Sequence, residues 1–106
     1  MQQSTLYISH QSKLLQIPVR EIELVVSYGN YCKIMTQQQT FTVQKRIGVI
    51  VGMLPHRDFC RVHKLYIVSL KHVSFLEGRY LKVGKTEVPI GDVYYGRFKR
   101  RIRIVT

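Results

Sequence analysis

The chain has 106 residues, which is the size of one domain, and 45% of them are apolar, so it holds enough material for one hydrophobic core. Seventeen Lys and Arg stand against six Asp and Glu, giving a formal net charge of +11. This excess favours a polyanionic partner over a role in solubility alone, because each cation placed on a phosphate releases condensed counterions. Charge by itself leaves DNA, RNA and an anionic membrane surface open.

The sequence shows no feature that would direct the chain into or across a membrane. No apolar run approaches the roughly 20 residues that span a bilayer, and residues 1–15 lack the basic-then-apolar order of a signal peptide. The two cysteines, Cys32 and Cys60, form no CxxC motif, and each lies in a run typical of a strand. We therefore expect buried, reduced thiols in a cytoplasmic protein.

The first half of the chain alternates short apolar runs with polar turns, which predicts strands at residues 6–9, 15–17, 22–26, 31–36 and 40–43. The β-branched run 22–26 is expected to be buried on both faces, and Gly29 with Asn30 marks the turn after it. A helix is predicted over about residues 44–54, ended by Pro55. Its apolar face follows i, i+3, i+4, i+7 spacing, at Ile47, Ile50, Val51 and Leu54.

The second half continues with strands predicted at residues 59–63, 64–70, 72–76, 79–83 and 86–90, with Gly84 and Lys85 as a tight hairpin turn. Over residues 92–102 the apolar residues recur with helical spacing, so that the aromatic side chains fall on one face of a predicted helix and the basic side chains cover the rest of its surface. Asp92 is the predicted N-cap of this helix. The expected fold is mostly β, with small antiparallel sheets, one mid-chain helix and one basic C-terminal helix. No linker divides residues 1–106.

An enzyme is not expected. The histidines and carboxylates show no metal-ligand spacing, and the sequence has no nucleophile elbow and no phosphate-binding loop, so we predict no metal and no cofactor. Cys60 and His63 are three residues apart on a predicted strand, which places them on opposite faces. We therefore expect His63 to be a hydrogen-bonded structural histidine rather than a catalytic base.

Nucleic-acid binding has more support, because basic residues recur beside predicted turns. If those turns share one edge of the β framework, they form a row of loops that could reach into DNA grooves. The basic C-terminal helix could be a recognition helix, a phosphate-binding helix or a solvated face; the first is least favoured, because no helix-turn-helix pattern precedes it. No RNP-like motif is present, which argues against an RNA-recognition motif.

Two stretches carry a family resemblance. The run FCRVHKLYIVSL at residues 59–70 resembles the LytTR signature Phe-x-Arg-x-His-(Arg/Lys)-Ser-Tyr-(Ile/Leu)-Val-Asn, and IELVVSYGNY at residues 22–31 is similar to that family's early strand and turn. The resemblance extends over about residues 6–102. It implies a DNA-binding output domain of a bacterial response regulator, which presents loops to successive major grooves and binds repeated sites as pairs. The family usually has a receiver or membrane domain before this module, so we expect a C-terminal piece of a longer regulator.

The resemblance places the turn at Asn30 and Tyr31, the residue after the signature histidine, and the corner at Gly91 and Asp92 against DNA. Together with the basic residues of turns and last helix, the candidate DNA-binding residues are Asn30, Tyr31, Lys33, Lys64, Ser69, Lys82, Lys85, Gly91, Asp92, Arg97 and Arg100. Asp92 departs from the family, which usually has arginine there; its carboxylate could read the N4 amino group of cytosine or serve only as the helix cap. The alternative function is therefore a LytTR-like domain with degenerate base readout that mediates protein contact or blocks a partner regulator.

Overall fold

The computed structural model describes residues 5–106, which form three antiparallel sheets and two helices. The strands are β1 (Thr5–His10), β2 (Lys13–Pro18), β3 (Ile22–Ser27), β4 (Cys32–Thr36), β5 (Thr40–Val43), β6 (Phe59–His63), β7 (Tyr66–Ser69), β8 (Val73–Glu77), β9 (Tyr80–Val83) and β10 (Thr86–Pro89); the helices are α1 (Ile47–Met53) and α2 (Asp92–Arg101). The mostly β architecture of small antiparallel sheets is as predicted. Neither helix has the length and apolar content that crossing a membrane would require, as far as residues 5–106 show.

The central sheet has the strand order β5-β4-β3-β7-β6, and every neighbouring pair is antiparallel. Because β3 and β6 run in the same direction, their last residues lie at one end of the sheet, which we call the upper end. The turns 28–31 and 64–65 and the segment 44–46 all lie there. The 37–39 turn and the start of β6 lie at the other, lower end.

Both faces of the central sheet are covered. Leu24 and Val25 are neighbours on β3, and each is almost completely buried, but they belong to different apolar clusters. Val25 packs with the β1–β2 hairpin and α1, whereas Leu24 packs with β8–β10 and α2. The prediction that this run is buried on both faces is confirmed, and it follows from side chains alternating across a strand.

The sheet β10-β9-β8 and helix α2 are joined to the central sheet by a backbone hydrogen bond at the upper end and by their shared apolar cluster. At the lower end, Gly84 N–H donates to the His72 carbonyl (3.2 Å), which extends the pairing of β8 with β9. At the upper end, Gly91 N–H donates to the Val62 carbonyl (2.8 Å). Helix α2 then runs back down along β6, and its Phe98 is buried in the cluster beneath it.

Several predicted element boundaries are wrong, and those of α1, β7 and β8 have clear physical reasons. Helix α1 begins at Ile47, not residue 44, because β5 stays paired with β4 through Val43 and residues 44–46 are needed to leave the sheet. It ends at Met53, since Leu54 is extended before Pro55, as proline favours. Residues 64–65 form a turn rather than a strand start, and a 3-10 turn at Leu70–His72 delays β8 to Val73.

The cysteines are free and buried, as predicted, with exposed fractions of 0% for Cys32 and 2% for Cys60. Burial raises the pKa of both thiols above the usual value; Arg61 offsets part of the rise at Cys32, and Arg101 and Arg97 offset part of it at Cys60. Both side chains are therefore thiols rather than thiolates near neutral pH, which makes them poor nucleophiles.

Candidate nucleic-acid interface

The upper end brings together three turns that are far apart in the sequence. Ser27 N–H donates to the Leu65 carbonyl (2.9 Å), which joins the 28–31 turn to the 64–65 turn. The bond from Gly91 N–H to the Val62 carbonyl (2.8 Å) adds the start of α2 beside the second turn. Asn30, Lys64 and the Gly91–Asp92 corner therefore share one edge of the molecule.

The 28–31 turn is held by its own aromatic side chains. Gly29 has a positive φ of 79°, and the turn closes through a bond from Tyr28 N–H to the Tyr31 carbonyl (2.8 Å). The two tyrosine rings stack, with centroids 5.4 Å apart and an interplanar angle of 13°. The Lys33 ammonium lies 5.2 Å from the Tyr28 ring centroid, within range of a cation–π contact. This turn thus presents exposed Asn30 beside a fixed positive charge.

The 64–65 turn is braced by two side chains of β6. Arg61 Nη2 donates to the Lys64 carbonyl (2.7 Å), and Leu65 N–H donates to His63 Nδ1 (3.0 Å). His63 is therefore a hydrogen-bonded structural histidine, as predicted. Because both bonds use the turn's backbone and the His63 ring, the exposed Lys64 side chain remains available to a partner. Arg46, at the start of α1, lines the same groove as Arg61 and Lys64.

The corner before α2 differs from the prediction. Asp92 is the first helical residue rather than the N-cap, since Gly91 occupies the cap position in an extended conformation and no side chain caps the helix. The Asp92 carboxylate instead accepts a hydrogen bond from Arg79 Nη1 (2.8 Å). A carboxylate in the first turn also interacts favourably with the helix dipole. Asp92 is thus paired, and its charge is offset by a cation at the same edge.

Several candidate residues lie away from the upper end. Ser69 is 1% exposed and bonded to His72 (2.9 Å), so its hydroxyl is occupied in the interior. Lys85 belongs to the lower end, because the adjacent Gly84 bonds to His72 and packs against Glu23; the prediction that it shares an edge with Lys64 is wrong. The Lys82 ammonium also lies toward the lower end, because it is 3.5 Å from the Lys85 carbonyl.

The basic residues of α2 divide by role. Arg97 and Arg100 are exposed along the helix. Arg101 instead donates to the carbonyls of His56 (2.7 Å), Arg57 (3.0 Å) and Phe59 (3.3 Å), which ties the end of α2 to the chain before β6. The Arg101 guanidinium is therefore engaged within the domain, whereas Arg97 and Arg100 are exposed.

The upper end carries more cations than carboxylates. Sequence reasoning missed three cations of the upper end: Arg46, Arg61 and Arg79. Arg61 could have been found, because it is two residues from His63 on one strand and so on the same side. Arg79 gave no signal, because the sequence predicts it as the first residue of a strand, whereas it lies in the turn before β9. Two of the six carboxylates, Glu77 and Asp92, lie toward the upper end, where they are outnumbered by the cations Lys33, Arg46, Arg61, Lys64 and Arg79. The upper end consequently carries a net positive charge and suits a polyanion.

Comparisons with known proteins identify the family and the fold. The family model described as "LytTr DNA-binding domain" matches residues 12–103. Among solved structures, the chain is similar to the LytTr DNA-binding domain of a Bacillus cereus protein described as a methyl-accepting/DNA response regulator. The TM-score is 0.83 at 16% sequence identity, over 94% of this chain and 97% of that one, a likeness that establishes the fold. No curated protein matches. With its family match covering most of its length, the chain belongs to the LytTR family of DNA-binding domains.

Proposed function

We propose that this domain binds duplex DNA in a sequence-specific manner through its upper end. The observation that carries the proposal is the convergence of the turns 28–31 and 64–65 and the corner 91–92 on one positively charged edge. Turns held on a rigid sheet can enter a major groove about 12 Å wide, where each base pair presents a distinct pattern of donors and acceptors.

The proposed contacts follow from side-chain chemistry. Asn30 is suited to reading adenine, because an asparagine side chain can form two hydrogen bonds with that base. Lys64 is suited to contacting guanine or a phosphate. Lys33 and Tyr31 would support the first turn on the DNA backbone. Arg97 and Arg100, exposed on α2, would contact phosphates beyond the groove and contribute affinity without sequence information. Ser69, Lys82 and Lys85 are left out of the proposed surface because of where they lie.

The similarity to a response-regulator domain supports a further proposal about context. We propose that the domain is the output module of a bacterial transcriptional response regulator, controlled by a receiver or sensor domain in the same protein and acting in the cytoplasm. Two copies would bind repeated sites on DNA. Selected binding sites that contain two half-sites at a fixed spacing are the expected result; single isolated sites would count against pairing.

The alternative, a domain with degenerate base readout that mediates protein contact, was motivated by the Asp92 carboxylate. The ion pair with Arg79 weakens that motivation, because the carboxylate does not meet DNA as an uncompensated charge. Selection from a library of random duplexes at near-physiological salt separates the two functions. We expect enrichment of a defined sequence; recovery of unenriched sequence would overturn specific DNA binding and favour the alternative.

A further inference from the structure

Arg79, in the turn between β8 and β9, is held by two contacts. Its Nη1 donates to Asp92 Oδ1 (2.8 Å), and its guanidinium carbon lies 3.9 Å from the Tyr95 ring centroid. The first contact fixes one edge of the guanidinium and the second fixes its plane against an aromatic face. A side chain that would otherwise sample many rotamers therefore has one defined orientation.

Stability does not account for this arrangement. The Asp92 side chain is 96% exposed and the Arg79 side chain 49% exposed, and ion pairs between such exposed groups contribute little to folding. Of the five N–H donors of a guanidinium, only one is used by a side chain or backbone group of residues 5–106. The remaining donors are available to a ligand.

The position of Arg79 connects it to the proposed DNA surface. Ile90 N–H donates to the Arg79 carbonyl (2.8 Å), one residue before Gly91 bonds to Val62. A side chain at Gly91 would begin 3.7 Å from the His63 ring, so this corner is adjacent to the turn that carries Lys64. The oriented guanidinium is therefore at the upper end, beside two of the three converging turns.

We propose that Arg79 reads a guanine in the major groove and that Asp92 and Tyr95 are its positioning residues. The inference rests on the proposed DNA-binding function. An arginine presents two parallel N–H donors to the O6 and N7 acceptors of guanine, and this contact requires a fixed guanidinium plane. Asp92 then supports base reading instead of repelling the DNA.

The test uses the duplex selected by the unaltered protein, with every base pair replaced singly, and compares Arg79→Lys, Arg79→Ala and Asp92→Asn. For the unaltered protein, replacing one G·C pair should weaken binding by about 10- to 100-fold. Arg79→Lys keeps the charge but lacks the paired donors, so it should lose this discrimination at that pair and keep its preferences elsewhere. Asp92→Asn should lose part of this discrimination at the same G·C base pair.

Controls separate base reading from other roles. Arg20→Lys, an exposed arginine in the turn before β3, should leave the profile unchanged. A contact to phosphate would make Arg79→Ala weaken all duplexes alike, with a salt dependence lower by about one unit, and would overturn the proposal. If Arg79→Lys discriminates between the singly replaced duplexes as the unaltered protein does, Arg79 does not read guanine, but the proposed DNA-binding function still stands. If the unaltered protein selects no sequence, the proposed function and this inference both fail.

Discussion

The tether between Arg101 and the segment before β6 allows a quantitative prediction. Arg101 donates three hydrogen bonds to backbone carbonyls more than forty positions away in the chain, and the bond to Phe59 is partly buried. Hydrogen bonds to charged groups contribute about 1.5–3 kcal/mol each. The two exposed carbonyls regain water when the side chain is removed, so the three bonds do not add. We expect Arg101→Ala to lower the free energy of unfolding by about 1.5–3 kcal/mol.

Arg100→Ala is the matched control. Arg100 precedes Arg101 in the last turn of α2 and is exposed, and none of its side-chain atoms has a hydrogen bond within residues 5–106. Both substitutions remove one favourable charge from the helix C-terminus, worth about 0.3–1 kcal/mol. The difference between the two variants therefore isolates the tether.

Urea unfolding followed by circular dichroism measures the difference. With equal m-values, Arg101→Ala should unfold at a lower urea concentration than Arg100→Ala, and its Tm should be lower by about 4 °C or more. If the two variants agree within about 0.5 kcal/mol, the hydrogen bonds to the 56–59 segment do not hold the helix, and the reasoning is refuted.

Further predictions concern the hairpin turn and the thiols. Gly84→Ala and Gly78→Ala should destabilise the domain by similar amounts, as measured by urea unfolding, because both glycines have φ near +60° and the Glu23 carboxylate that a side chain at position 84 would meet is the end of a flexible side chain that can move. A clearly larger loss for Gly84→Ala would mean that Glu23 is held in place. Cys32 and Cys60 should resist a thiol reagent at pH 7 in the folded protein and react fully in urea, because burial limits access and raises both pKa values. Rapid labelling of the folded state would contradict their placement.

Local patterns were sufficient for much of the fold. The doubly buried β3, the turn at Gly29 and the hairpin at Gly84 all follow from spacing within a few residues. Helix α2 was predicted from its aromatic stripe, and the cap was misplaced by one residue because Asp92 resembles a cap in sequence. The Asp92 carboxylate instead forms an ion pair with Arg79, thirteen residues earlier in the chain. A local sequence pattern does not reveal a contact between residues that far apart.

The site was harder to predict, because it depends on how separate sheets dock. Lys64 and Lys85 both follow strands and precede others, and the sequence gives no reason to separate them. They lie at opposite ends because the bond from Gly91 to Val62 places the end of β10 at the upper end, so the turn at the other end of β10, which carries Lys85, lies at the lower end. Ser69 ends a strand and was expected at the surface, but β7 lies between two neighbours and its end is covered.

The most direct test compares Lys64→Ala with Lys85→Ala in DNA binding measured by fluorescence anisotropy at several salt concentrations. Both changes remove one exposed lysine from a turn, so net charge and stability change alike. If the upper end is the DNA surface, Lys64→Ala should weaken binding by about 1–3 kcal/mol or flatten the salt dependence by about one unit, and Lys85→Ala should bind almost as the unaltered protein does. Equal weakening by both variants, or a larger effect at Lys85, would contradict the assignment of this edge.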